Sequence, residues 1–152
     1  MTSGGNGSLG TVADTSAARL VFDVSSLPEE VAVARHAVVA FLTSHGVSSV
    51  VVDDMELVTS ELVTNAIIHP AAHDLVHIEV GATDTVELLV SNVGPADAIP
   101  AIDEWQPAPP FATSGRGLGI VRRLCDDVDV EQVGDRAVVT CRRRLPDGGG
   151  SP

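Results

Sequence analysis

Lysine is absent: all nine basic residues are arginine. That removes the amine for a Schiff base and the phosphate-gripping lysine of a GxxxxGK[ST] loop, so any nucleotide must be held by another device. Cysteine is scarce. Cys125 and Cys141 are the only two and form no CxxC pair, which argues against a zinc ribbon, a thioredoxin-like dithiol and a disulfide scaffold. Both read as small buried hydrophobes. No run reaches the roughly 18 uninterrupted apolar residues of a membrane helix. The opening MTSGGNGSLGTVADTS has neither the basic start nor the apolar stretch of a signal peptide, so a cytoplasmic protein without membrane association is expected. Positive charge is short too. The formal charge of -12 repels a phosphate backbone, and the basic cluster at 142–144 is too small to offset it. No direct nucleic-acid partner is expected.

What is present suffices for one fold. A chain of 152 residues, 44% hydrophobic, can bury one continuous core. Residues 1–17 are rich in Gly, Ser and Thr and carry a single charge, Asp14, so they cannot bury enough apolar area to offset ordering entropy. They read as a flexible tail, as does 146–152, leaving one domain over 18–145. Leu20, Phe22 and Val24 alternate as in a strand, and Ser26 with Glu29 forms a capping-box pattern that opens a helix striped by Val31, Ala34, Val38 and Phe41. Gly46 stands where that helix should end. A second helix over 50–69 carries Val51, Met55, Val58, Leu62 and Ala66 at spacings of three and four, with Pro70 stopping it. Strand-like runs at 75–80 and 86–90 suggest a hairpin. The stretch 95–114, with Pro at 95, 100, 107, 109 and 110, reads as a long functional loop or lid. Trp105 and Phe111 within it are either loop anchors or covers for an apolar ligand. A short helix over 117–125 and a hairpin of 128–133 with 137–145 around Gly134-Asp135 complete the chain.

Three polar motifs interrupt this pattern. On the second helix Glu61, Asn65 and His69 are four residues apart and share a stripe beside the apolar face. Carboxylate and amide oxygens suit Mg²⁺, which keeps several waters and takes few protein ligands. Asn65 offers a neutral oxygen, and Glu61 can orient or deprotonate a hydroxyl or water. The same residues could equally form a plain solvated face. Next come Ser91-Asn92-Val93-Gly94-Pro95, a strand ending in a polar side chain and a glycine turn, whose plain reading is a turn. The third is Gly115-Arg116-Gly117-Leu118-Gly119 before an apolar helix. There backbone N–H groups can approach an anion and the helix dipole adds to them, though hinges use glycine as well.

Taken in order, ELVTNAIIH, SNVGP, a long loop and GRGLGIV resemble the N, G1 and G2 boxes of the GHKL nucleotide-binding superfamily, which includes gyrase, histidine kinases and anti-sigma-factor serine kinases. The resemblance spans about residues 20 to 145. It implies an α/β class fold of the α+β two-layer kind, a Bergerat-type ATP-binding fold with a mixed, mainly antiparallel sheet covered by helices on one face. It implies ATP and Mg²⁺ as cofactors, with Asn65 on the metal and Glu61 activating the attacking group. Asn92 and Gly94 would hold the base, and Gly115, Arg116, Gly117, Leu118 and Gly119 the phosphates, under a lid at 95–114. The family's G1 box begins with Asp, whereas this chain has Asn92, whose amide oxygen can accept the adenine amino hydrogen but is uncharged. The threonine often found near the start of the last strand is replaced by Arg136 and Ala137, with Thr140 further on.

No phosphoacceptor helical hairpin and no second domain are evident, so the chain looks like an anti-sigma-factor serine/threonine kinase. The partners implied are a sigma factor and an antagonist protein, with a homodimer as a further option. A non-catalytic, partner-binding regulator of the same fold is the alternative, prompted by Asn92. A zinc site is the third reading, suggested by His69, His73 and His77 at four-residue steps. It is poorly supported, because Pro70 breaks the helix and His77 falls in a strand.

Overall fold

The alternation that begins at Ala18 does form a strand. In the computed structural model, which describes residues 18–68, 75–104 and 116–146, β1 (Ala18–Val24) is followed by α1 (Glu30–Ser44), α2 (Ser49–Ile68), β2 (Val76–Ala82) and β3 (Thr85–Val93). Two short 3-10 turns, Ala96–Ala98 and Ile102–Glu104, lead away from β3, and α3 (Arg116–Leu124), β4 (Asp127–Val133) and β5 (Arg136–Arg144) close the chain. The tail assigned to 1–17 and all of that assigned to 146–152 except Pro146, together with His69, His73, Trp105, Phe111 and Gly115, lie outside the described residues. No helix among the described residues is long and apolar enough to cross a membrane.

The five strands form one sheet in the order β1-β2-β3-β5-β4, and every neighbouring pair is antiparallel. The expected mixed sheet thus contains no parallel pair among the described strands. One face is apolar by simple parity: Val76, Ile78 and Val80 of β2 and Val86, Leu88 and Val90 of β3 are buried, in line with Val139 and Cys141 of β5. The helices cover this face, giving the two-layer α/β arrangement. All five positions of the α2 stripe are buried, and so are Val52, Thr59 and Val63. That wide buried arc arises because α2 packs on α1, on α3 and on the sheet together. The hydroxyl of Thr59 is satisfied inside this core by donating to Met55 O at 2.7 Å.

Helix α1 starts differently from the expectation. It begins at Glu30, with Glu29 at the N-cap and no side-chain capping bond, because Leu27 and Pro28 first make a backbone turn that accepts from Glu30 and Val31. Its end is as read. Gly46 has φ 77, and Gly46 N–H donates to Thr43 O while Val47 N–H donates to Leu42 O. These two bonds make the helix-ending motif in which only glycine is unstrained.

The opposite sheet face is charged. Arg19 bridges Glu79 and Glu87, and Arg142 bridges Glu87 and Asp127. Beside them His77 sits between two carboxylates, with Nδ1 2.8 Å from Asp23 and Nε2 2.8 Å from Glu79. A neutral imidazole has one donor, so bonding both carboxylates requires the imidazolium. Burial opposes that charge, but the hydrogen bonds and charges of Glu79 and Asp23 outweigh it and raise the pKa above 6.5. The contribution of His77 to stability is therefore complete below the unfolded pKa of about 6.5 and is lost as pH rises through the higher folded value. His77→Gln should accordingly be less stable than the parent at pH 6, with the gap narrowing as pH rises through the raised folded pKa; denaturant midpoints measured across that range provide the check, and a gap independent of pH would exclude a charged His77.

Candidate functional site

Because α2 is fixed on three sides, its polar side chains are aimed by its packing. Asn65, half-buried, lines a cleft beside Leu62 and Ala66 of the same helix. The cleft is completed by Val90, Asn92 and Gly94 of β3 and its turn, by Pro95 and Ile99 beyond, and by Ala137 and Val139 of β5. Glu61 lies one turn back along α2 and is half-buried, outside that ring of lining residues. Two motifs separate in sequence therefore meet here, Asn65 from one and Asn92 with Gly94 from the other.

Asn92 belongs on the core side of the sheet by parity and is 9% exposed. Its Nδ2 donates to Val93 O at 3.5 Å, a long bond that leaves the amide oxygen as its acceptor. Asn92 pairs across the sheet with Ala137, and Ala137 with Gln132, so a small residue stands between two amides in one row. Ala137 lacks the bulk of the valine in the next row, Val139, and this opens the floor of the cleft. The cleft is partly open, and the room within it for a water-sized sphere is about 20 Å³, roughly that of one water molecule.

Gln132 was not singled out from sequence, yet it organises the rim. Its Nε2 lies 3.2 Å from Gly94 O, 3.1 Å from Gly134 O and 3.1 Å from Arg136 O, so its two N–H groups are shared among three carbonyls, while Oε1 accepts from Ala96 N–H at 2.6 Å. Gly94 has φ 147, a backbone state suited to glycine, and donates its N–H to Asp135 O at 2.9 Å. One side chain on the edge strand thus ties the turn after β3 to the β4–β5 turn. A signal was available: in DVDVEQV the apolar alternation of Val128 and Val130 is broken at 132.

The glycine motif stands elsewhere. Arg116 and Gly117 open α3, Leu118 and Gly119 are buried within it, and Leu118 belongs to the core cluster. What Leu118 can offer an anion is its backbone N–H. Helix α3 packs on α2, and its far end is held by Arg143, which donates to Leu124 O at 3.0 Å and pairs with Asp54 of α2. A cation at a helix C-terminus is electrostatically well placed. Like Gln132, Arg143 is a polar residue at a core-facing strand position, noted in the sequence only as part of the basic cluster at 142–144. Among the described residues no group of three or more His, Cys, Asp or Glu side chains could hold a metal ion. His77, the described member of the histidine series, is engaged by carboxylates at both ring nitrogens.

The family model for the histidine kinase-like ATPase domain matches residues 24–143. Among solved structures, the chain resembles the RsbU and RsbW domains of Rv1364c from Mycobacterium tuberculosis, with a TM-score of 0.65 and 16% identity over 84% of this chain and 32% of that one. It thus spans about a third of that relative. It also resembles the SiaB-SiaC complex from Pseudomonas aeruginosa, with a TM-score of 0.59 and 14% identity over 83% of this chain and 89% of that one. These identities are those of a shared fold. No curated protein matches the chain.

Removing the Gln132 amide should loosen the rim without unfolding the domain. Gln132→Ala is expected to cost about 1–2 kcal/mol, given roughly 0.5–1.5 kcal/mol net per hydrogen bond and the exposure of the site. Amide hydrogen exchange of Ala96 and of Gly94 should speed up, while that of the β2 amides stays unchanged; unaltered exchange at Ala96 would mean that Gln132 does not hold this turn.

Proposed function

We propose that this chain, which belongs to the histidine kinase-like ATPase domain family, binds Mg²⁺-ATP in the α2–β3 cleft and acts as an anti-sigma-factor-like regulator. In this reading it transfers the terminal phosphoryl group to a serine or threonine of an antagonist protein and holds a sigma factor. The observation that carries the proposal is the convergence of Asn65 with Asn92 and Gly94 on one cleft, with Glu61 a turn away on the same helix.

The donor set fits the ions and groups required. An amide oxygen from Asn65, with phosphate oxygens and water, is the sparse oxygen set that Mg²⁺ prefers. Bound there, Mg²⁺ would neutralise phosphate charge. Glu61 would take the proton of the attacking hydroxyl. Asn92 Oδ1 would accept from the adenine amino group, since its Nδ2 is turned towards Val93 O. Backbone N–H groups at the start of α3, at Arg116, Gly117, Leu118 and Gly119, with Gly115 before them, would cradle the phosphates with the positive end of the helix dipole. A purine needs far more room than about 20 Å³, so in this reading the segment that contributes Pro95 and Ile99 to the lining would move aside for the base.

A second reading has specific support. The cleft's small volume and the uncharged Asn92 favour a partner-binding regulator of the same fold in which nucleotide binding is weak or lost.

Calorimetric titration of the purified chain with ATP, with and without Mg²⁺, distinguishes the two readings. Mg²⁺-dependent binding is expected, and a folded sample that binds no nucleotide would favour the non-catalytic regulator. Asn65→Ala should abolish the Mg²⁺-dependent binding while changing stability by no more than about 1 kcal/mol, as for polar sites outside the core. Glu61→Gln should bind nucleotide normally and slow transfer to an antagonist roughly 10²–10⁴-fold; transfer at the parent rate would remove Glu61 from the mechanism.

A further inference from the structure

Asn92 is a polar resident of the core face whose bonding is incomplete. Only 9% of it is exposed, yet among the described residues its side chain makes one hydrogen bond, from Nδ2 to Val93 O at 3.5 Å. That is well beyond the roughly 2.9–3.0 Å of an ordinary N–H···O bond. The amide oxygen and the second N–H of Nδ2 have no partner there. A buried amide with an open acceptor and an open donor is costly unless something bonds to it, and the surface it lines is the α2–β3 cleft. Little else on that lining can read the polarity of a ligand edge. Among the described lining residues Asn65 is the other polar side chain, none is charged, and the rest are apolar or glycine. The N–H groups of the turn are committed: Gly94 donates to Asp135 O and Ile99 to Ala96 O, while Pro95 has none.

Building on the nucleotide reading of this cleft, we propose that it takes 6-oxopurine nucleotides as readily as ATP, with Asn92 as the residue that reads the base. An amide presents an acceptor and a donor side by side. Adenine offers the complementary pair, its 6-amino N–H beside the N1 lone pair. Hypoxanthine and guanine offer the same two functions exchanged, the 6-oxo oxygen beside N1–H. A half-turn of the Asn92 amide about its last side-chain bond exchanges Oδ1 with Nδ2, so the second edge is matched as well as the first. The orientation seen in the structure is held by the long contact to Val93 O alone, a weak restraint against two hydrogen bonds to a ligand. Because the amide is neutral and carries a donor, the 6-oxo group meets no anion there. The apolar lining contributes shape, which the two kinds of purine share.

Inosine triphosphate is the probe of choice, because it differs from ATP at this edge only. Calorimetric titration of the full chain in the presence of Mg²⁺ is expected to give dissociation constants for the two nucleotides within about tenfold of each other, whereas a group that read one edge alone would separate them by roughly 10- to 100-fold. Asn92→Leu, similar in size but without either polar function, should weaken both nucleotides by roughly 10- to 100-fold and leave their ratio unchanged. A difference of more than about tenfold between the two on the parent, or an Asn92→Leu variant that binds either one as the parent does, would overturn the inference and leave the nucleotide reading standing. A folded parent that binds neither would overturn both. Should Asn92→Leu fail to fold, the ratio measured on the parent decides alone.

Discussion

The rotation of α2 about its axis is the constraint on which the site depends. This helix is buried through Val51, Val52, Met55, Val58, Thr59, Leu62, Val63 and Ala66, an arc that leaves little freedom to turn. Dense interiors resist rotation because every buried side chain would have to leave its niche. Glu61 and Asn65 lie beside this arc and are half-buried, so their directions follow from hydrophobic packing and not from any bond they make. An apolar framework thereby sets the directions of polar side chains.

The sheet contributes by exceptions to its own pattern. Core-facing parity is apolar along β2 without interruption, but in β3, β4 and β5 it is broken at Asn92, Gln132 and Arg143. Each exception is matched to a local need. Asn92 faces the cleft, Gln132 shares its amide among the rim carbonyls and one N–H, and Arg143 satisfies the last carbonyl of α3 while pairing with Asp54. A half-buried polar group is costly unless bonded, which the partners of Arg143 meet, whereas Gln132 stands at the exposed edge of the sheet.

Much of this was legible beforehand. The α2 stripe, the strand alternation, the glycine end of α1 and the order of the motifs all follow from spacing along the chain, because each is a local property. Cross-strand facts were not legible. That Ala137 stands between Asn92 and Gln132, or that Arg19 reaches Glu79 and Glu87, depends on register, which a single sequence does not specify. The opening of α1 was misread for a different reason: Ser26 and Glu29 have the spacing of a capping box, but Pro28 fits an earlier turn, and the backbone took that route. The cysteines, read as small buried hydrophobes, both join the apolar interior, Cys141 within the core and Cys125 partly exposed at its edge.

The short helix α3 shows how remote residues enter the chemistry. With nine residues it is below the roughly 12–15 at which an isolated helix is even marginally stable, so its place is set by its surroundings. Leu118 and Val121 bury it against the core, Arg143 receives its last carbonyl, and Asp126 just beyond it is bonded to the backbone of Arg142 and Arg144. Fixing the C-terminal end of a rigid rod fixes the other end too. The direction in which the first N–H groups of α3 point is therefore decided in part by Arg143 of β5 and by Asp54, neither of which lines the cleft. The forked guanidinium of Arg143 serves a carbonyl and a carboxylate at once, a geometry that the single ammonium of lysine does not reproduce.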